Sequence, residues 1–170
     1  EQLVVNGAPE NGWYQISYNG ETCYVASDFI TLSFPLSSAM TLEEEKAWKE
    51  EQERIARNNA TANAINQAAA AGTPNRDKLI VSYDDAYLIG CVVQKEAGNV
   101  AYELKLGIAN IILNRYYSGI WGRSFSGIIY APGQFNGAST SYTPSASTMQ
   151  AVYDALAGYN NIGGYLFYCN

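Results

Sequence analysis

The chain has 170 residues, a net charge of −6 and no histidine. That length holds one ordinary domain plus a smaller unit. Without histidine, Ser-His-Asp and Cys-His catalysis and nearly all zinc hydrolase sites are excluded. The acidic balance argues against a nucleic-acid surface, which needs a basic patch.

The longest apolar run, Ala86–Val93, is far too short to span a bilayer. The sequence has no initiator Met and no basic-then-apolar leader, so any targeting segment is expected to have been removed or left out. Cys23, Cys91 and Cys169 lack C-x-x-C spacing, which argues against a zinc knuckle or redox pair. A Cys91–Cys169 disulfide and buried free thiols stand as equal alternatives. No metal or cofactor is implied. Carboxylates, Tyr, Ser/Thr and Asn remain for chemistry.

Residues 1–33 read as β structure. Trp13, Tyr14, Ile16 and Tyr18 form one aromatic-rich run, and Thr22, Tyr24 and Val25 form another. Asn19-Gly20 between them is a strong hairpin signal, because both turn positions require positive φ. The stretch ENGWYQISYNGETCYVASDFIT resembles the second half of a bacterial SH3-type domain. Half a barrel leaves an open sheet edge and little core. The hairpin is therefore expected to start mid-domain, to pair with another chain or to pack on the rest of this one. A purely structural hairpin is the alternative to the wall-peptide binding that the resemblance implies.

Residues 34–40 read as a linker and 41–71 as a long helix, with 34–78 forming one linking unit. Thr41 and Glu44 make a capping box. Glu45/Lys49, Glu50/Arg54 and Glu53/Arg57 are spaced as i,i+4 pairs. The apolar stripe (Trp48, Ile55, Ala62, Ile65, Ala69) is thin, which suits a spacer or docking helix. Self-association through this helix or through the incomplete hairpin is the alternative. Gly72 and Pro74 end the helix.

Residues 79–170 form the main unit. Leu79–Val81 reads as a short extended piece. Ser82 with Asp85 caps a helix from Tyr83 to Glu96, which Gly98 stops; Asn99 is expected to cap the next helix, which runs to Tyr117. In that second helix Leu104, Ile108, Ile111 and Arg115 share one face, and Leu106, Ala109 and Leu113 another. It is therefore mostly buried, and Asn110 and Asn114 need partners. A short helix spans Ser124–Tyr130. Thr143 and Pro144 are expected to open a further helix that ends at Gly158. Gly164–Cys169 reads as a final strand.

From residue 86 onward the only carboxylates are Glu96, Glu103 and Asp154. Asp154 suits a solvated helix face. Glu96 follows an apolar run at a helix C-terminus, where burial and the macrodipole both disfavour its charge and raise its pKa. Glu103 lies near a helix N-terminus, which favours ionisation. Carboxyl groups pushed in opposite directions suit acid/base work on a glycosidic bond. On spacing alone, Glu96 as a solvated helix end remains the alternative.

The segments EAGNVAYELKLGIANIILNRYYSG, FSGIIYAPGQF, PSASTMQAVYDALAG and GYLFY occur in that order. Together they resemble the cell wall hydrolase family named after the spore cortex-lytic enzyme SleB. The resemblance implies an α+β, mainly helical chain with a lysozyme-like catalytic domain, preceded by the hairpin and the long helix. It implies peptidoglycan glycan strands as partner and a secreted, wall-associated or spore-associated bacterial protein. It also implies lytic transglycosylase activity on the bond between N-acetylmuramic acid and N-acetylglucosamine. Glu96 matches the family's catalytic Glu. Tyr102, Glu103, Tyr130, Gln134 and Phe135 are the implied substrate-binding residues, with Gln134 and Phe135 at the cleft rim. Asn114 and Arg115 match an N-R motif, which suits a buried pair holding helices together. Glu103 as base of a hydrolysing muramidase, and a non-catalytic wall-binding module, are the alternatives. Two features depart from the family pattern: the plain GNVA loop, and the end of the chain soon after the aromatic segment.

Overall fold

The computed structural model describes residues 5, 11–18, 21–31, 40–135 and 138–168. It separates into two compact units, Glu1–Glu45 and Lys46–Asn170. In the first, β1 (Trp13–Tyr18) pairs antiparallel with β2 (Glu21–Ala26), in a register running from Trp13↔Ala26 to Tyr18↔Glu21. The expected Asn19-Gly20 turn lies outside the described residues. Alternation along β1 puts Trp13 and Ile16 on opposite faces; Ile16 is buried and Trp13 exposed, as is Tyr18 at the strand end. Val5 makes an isolated bridge to Ile16. A single 3₁₀ turn follows at Ser27–Phe29, tied back by Ser27 N–H to Gly12 O at 2.9 Å.

Helix α1 spans Leu42–Ala70. The capping box forms as the sequence indicates. Thr41 N–H donates to Glu44 Oε2 at 2.8 Å, and Glu44 N–H donates to Thr41 Oγ1 at 3.2 Å. The expected pairing changes further on. Arg54 bonds Glu51 at 2.6 Å instead of Glu50, which pairs with Lys46, and Arg57 lies over the Tyr83 ring at 5.4 Å. An i,i+3 partner lets the planar guanidinium make two parallel bonds, to Oε1 and Oε2 of one carboxylate. The apolar stripe divides: Trp48 and Ile55 are exposed, whereas Thr61, Ile65 and Ala68 are buried with the helices that follow.

Those helices are α2 (Tyr83–Ala97), α3 (Tyr102–Ser118), α4 (Phe125–Ile129) and α5 (Ala146–Ala157). Helices α2, α3 and α5 pack on one another, and α4 packs on α2 and α3. Ile89, Ile112, Leu113 and Leu156 are fully enclosed at the centre. Burial of each such side chain is worth about 1.5–3 kcal/mol. Leu104, expected on an inner face, is exposed, because the buried stretch of α3 starts at Lys105 and is continuous from Gly107 to Arg115.

Two caps differ from expectation. Helix α3 starts from Ala101 without a side-chain cap, because Asn99 sits in a turn closed by Val100 N–H to Ala97 O at 3.0 Å. Helix α5 starts from Ser145, whose Oγ accepts from Thr148 N–H at 3.2 Å, two residues beyond the expected Thr143. At the end of α5, Gly158 adopts φ +107° and lies so close to the loop before α2 that a Cβ would fall 2.0 Å from Arg76 O. The expected final strand is not formed among the described residues: 164–168 have no ladder partner. Cys91 is a buried free thiol, and its expected partner Cys169 lies outside the described residues.

Candidate active site

The ends of α2 set the position of Glu96. Ser82 Oγ accepts from Asp85 N–H at 3.1 Å, and Asp84 and Asp85 complement the dipole of the first turn. At the other end Gly98 takes φ +53° and ψ −120°, a conformation suited only to glycine, and its N–H returns to Gln94 O at 2.8 Å. Glu96 therefore lies in the last turn. Gln94 locks that turn to α5: its Oε1 accepts from Ser145 N–H at 3.0 Å and from Thr148 Oγ1 at 2.7 Å.

The Glu96 side chain is 17% exposed. Lys95 Nζ donates to its Oε1 at 2.8 Å, and Tyr168 OH donates to its Oε2 at 2.7 Å. Burial pushes the carboxyl pKa up. The two hydrogen bonds and the Lys95 charge outweigh burial and hold it below the ordinary glutamate value. This corrects the expectation of a raised pKa. Burial and the helix dipole follow from position in the sequence, whereas neither donor does. Burial, together with its bond to Glu96, raises the Tyr168 phenol well above its usual range, so Tyr168 acts as a proton-bearing donor.

The N-R motif carries Tyr168 to that place. Asn114 Nδ2 donates to Gly163 O and to Tyr165 O, both at 2.8 Å, and Arg115 Nε donates to Leu166 O at 2.9 Å. Side chains of α3 thus do for the backbone of 163–166 what a neighbouring strand would otherwise do. Arg76 completes the clamp, with Nη1 to Asn114 Oδ1 at 3.0 Å and Nη2 to Asn110 Oδ1 at 2.7 Å. Asn110 Nδ2 donates to Tyr159 O at 2.9 Å. Both buried asparagines therefore have the partners that burial demands.

Beside Tyr168 lies a cleft of about 300 Å³ lined by Arg115, Gly133, Gln134, Phe167 and Tyr168. Gln134 is one of its lining residues. Phe135 does not present a free face: it is 5% exposed, with the Arg115 guanidinium 4.7 Å from its ring centroid. It supports the cleft from within the core, because the guanidinium already occupies its π surface. Tyr130, at 53% exposure, is open to solvent at the end of α4.

Tyr102 is directed elsewhere. Its hydroxyl donates to Asp154, which also accepts from Gln150 Nε2 at 2.8 Å. These groups line a second cleft with Ala68 and Ala71 of the α1 end. Asp154 is thus half-buried and bonded instead of purely solvated. Glu103 is exposed and lines neither cleft; its backbone O accepts from Asn161 Nδ2 at 2.8 Å. Lys95, Tyr168 and Gln94 were not legible in the sequence as site residues. Adjacent helical residues rarely face each other, so Lys95 gave no signal. The aromatic pattern of GYLFY was legible but suggested a strand.

Residues 100–170 match the model of the Cell Wall Hydrolase family. The match starts four residues after Glu96 and contains Tyr102, Asn114, Arg115, Gln134 and Tyr168. The spore cortex-lytic enzyme of Oceanobacillus iheyensis is 32% identical over 92 residues, covering 52% of this chain and 33% of that protein. The spore cortex-lytic enzyme of Bacillus subtilis is 32% identical over 117 residues, covering 66% and 37%. The solved catalytic domain of the Bacillus cereus SleB protein is 30% identical over 57% of this chain and 75% of its own, with a TM-score of 0.49. Over these residues the chain is similar to the SleB-like cell wall hydrolases. It spans about a third of the length of the curated relatives it matches. Within this SleB-like chain, Glu96 and the cleft beside Tyr168 bring together residues from α2, α3, the segment after α4 and the C-terminal segment.

Proposed function

We propose that this chain cleaves peptidoglycan glycan strands, acting as a lytic transglycosylase on the N-acetylmuramic acid–N-acetylglucosamine bond at a cell wall or spore cortex. The observation that carries the reading is Glu96: a largely buried carboxylate at the end of α2, with two displaceable donors, beside a polar cleft. Residues 79–170 supply the catalytic machinery in this reading, with 34–78 as the linking unit and 1–33 as part of an SH3-type unit. The spore cortex-lytic names of the relatives support the choice of substrate.

In the free state Lys95 and Tyr168 favour the ionised form of Glu96. A sugar entering between Glu96 and these donors removes their effect, while the burial that raises the pKa remains. Glu96 then gains a proton and becomes the acid. It donates that proton to the departing glycosidic oxygen as the C1–O bond breaks. The muramic acid 6-hydroxyl attacks C1 and its proton passes to the Glu96 carboxylate, which closes a 1,6-anhydro ring and restores the carboxylic acid. The substrate's own acetamido group stabilises the intervening cation, so a second carboxylate is not required. Gln134 lines the cleft and Tyr130 is an exposed aromatic available to stack on a sugar face. The exposed Trp48 and Ile55 on α1 are the surface through which self-association would run.

The test is mass spectrometry of fragments released from purified peptidoglycan by wild type and by Glu96→Gln. Anhydro-muramic products from wild type alone are the expected result. Reducing-end products would move the mechanism to hydrolysis. No release by either protein, with binding retained, would replace the enzyme by a binding module.

A further inference from the structure

The cleft beside Tyr168 contains a cation that the glycosidase chemistry does not use. Arg115 is 3% exposed. Among the described residues its side chain makes one hydrogen bond, Nε to Leu166 O, and its buried Nη1 has no partner. Trp121, Phe135 and Phe167 surround the guanidinium, with ring centroids 4.7–5.1 Å from Cζ. Aromatic faces stabilise a cation but accept no conventional hydrogen bond along its edge. A guanidinium has five N–H donors in a planar fork that matches a carboxylate in two-point geometry. Burying that charge without an anion is unfavourable, and an anion bound in good two-point geometry offsets the cost.

Gln134 lines the same cleft, and its Nε2 makes only a 3.5 Å contact to Pro132 O. Its amide is therefore a second neutral donor beside the fork. No carboxylate side chain lines this cleft among the described residues. Tyr168 borders the cleft while its hydroxyl reaches Glu96, so an occupant would lie one side chain from the reacting bond.

We propose that Arg115, with Gln134, binds a carboxylate of the glycan substrate; this rests on the peptidoglycan reading above. Two sources share that chemistry: the free lactyl acid of an unsubstituted muramic acid, and the terminal carboxylate of a short peptide stem. Either would place an acidic sugar against Glu96 in one register and exclude N-acetylglucosamine from the same position.

The experiment is ligand titration of the full chain by NMR at pH 7 and low salt. The probes are N-acetylmuramic acid against its lactyl methyl ester, and muramoyl-dipeptide against its C-terminal amide. Wild type is expected to prefer the acid over its neutral partner by about tenfold in at least one pair, the ratio that corresponds to one charge-assisted contact. The pair that shows the preference identifies the source. Glu96→Gln should keep it. Arg115→Gln should lose it, with a thermal melt confirming the fold. Gln134→Glu, which places a competing carboxylate in the cleft without touching the Leu166 contact, should lose it as well and decides the matter if Arg115→Gln does not fold. Equal affinity within both pairs, or a preference retained in a folded Arg115→Gln or in Gln134→Glu, overturns the proposal. Anhydro products without acid preference would refute this site alone. Acid preference without cleavage would refute the enzymatic reading alone.

Discussion

Replacing Asn114 by Ala tests the link between the helical core and the site. Asn114 Nδ2 holds Gly163 O and Tyr165 O, and Oδ1 accepts from Arg76. The substitution deletes three hydrogen bonds and leaves two carbonyls and a guanidinium N–H without their partner. At about 1 kcal/mol for each neutral bond and about 1.5–3 kcal/mol for the charge-assisted one, the expected loss is roughly 3–5 kcal/mol. Native domains have only about 5–15 kcal/mol of net stability, so the melting temperature should fall by roughly 10–20 °C. Urea unfolding measures the free energy directly. Hydrogen exchange then localises the effect: amides of 163–168 should lose protection before those of α2 and α3. Because Asn114 and Arg76 share a bond, the double variant with Arg76→Ala should cost less than the sum of the two singles. A loss below about 1 kcal/mol with unchanged exchange at 163–168 would refute the clamp, because removal of three satisfied buried bonds cannot be that mild.

Four further outcomes are expected. Tyr168→Phe deletes a hydrogen bond that lowers the Glu96 pKa, so that pKa should rise, as read by NMR of the carboxyl carbon, while circular dichroism stays unchanged. Because the folded pKa of Glu96 is depressed, its ionisation contributes stability above the unfolded value of about 4.3, and that contribution is lost as pH falls through the folded value. Urea midpoints of wild type against Glu96→Gln should therefore converge on acidification, and Tyr168→Phe should narrow the gap at neutral pH. Gly158→Ala should cost about 3 kcal/mol or more in urea, since it combines an unfavourable φ with a Cβ placed 2.0 Å from Arg76 O. Gly98→Ala meets no steric neighbour closer than 4.0 Å, so its cost is backbone strain alone, about 1–3 kcal/mol, and it should reduce cleavage more than stability by shifting the last turn that carries Glu96.

Local chemistry was legible at three helix ends. The Thr41–Glu44 capping box, the Ser82 cap and the Gly98 stop could all be read from spacing, because each satisfies helix-end groups within a few positions. Burial of Asn110 and Asn114 followed from their place in an apolar helix, and so did their need for partners. The identity of those partners did not follow, since Arg76, Tyr159 and Gly163 lie 34 to 49 positions away in sequence. The misplaced start of α5 has the same origin. Thr143-Pro144 is a sound local signal, but Ser145 N–H finds Gln94 on another helix and the helix begins there instead.

The direction of the Glu96 shift is the most instructive difference. Position in the chain gave two true influences, burial and the negative end of a dipole, and both raise the pKa. The net direction is opposite because a phenol 72 positions away donates to one oxygen and the preceding lysine donates to the other. Neither bond is made through backbone, so both can be broken by a ligand without unfolding the helix that carries Glu96. An acid catalyst that is ionised when free and protonated when occupied needs such an arrangement: the influences that raise its pKa belong to the fold, and those that lower it belong to side chains a substrate can displace. Arg115 fits the same logic. Its Nε holds Leu166 and thereby Tyr168 in place, while the rest of the fork stays unspent beside the cleft. One residue of the N-R motif can thus anchor the segment that keeps Glu96 ionised and, in the proposed complex, bind the acid group that displaces it.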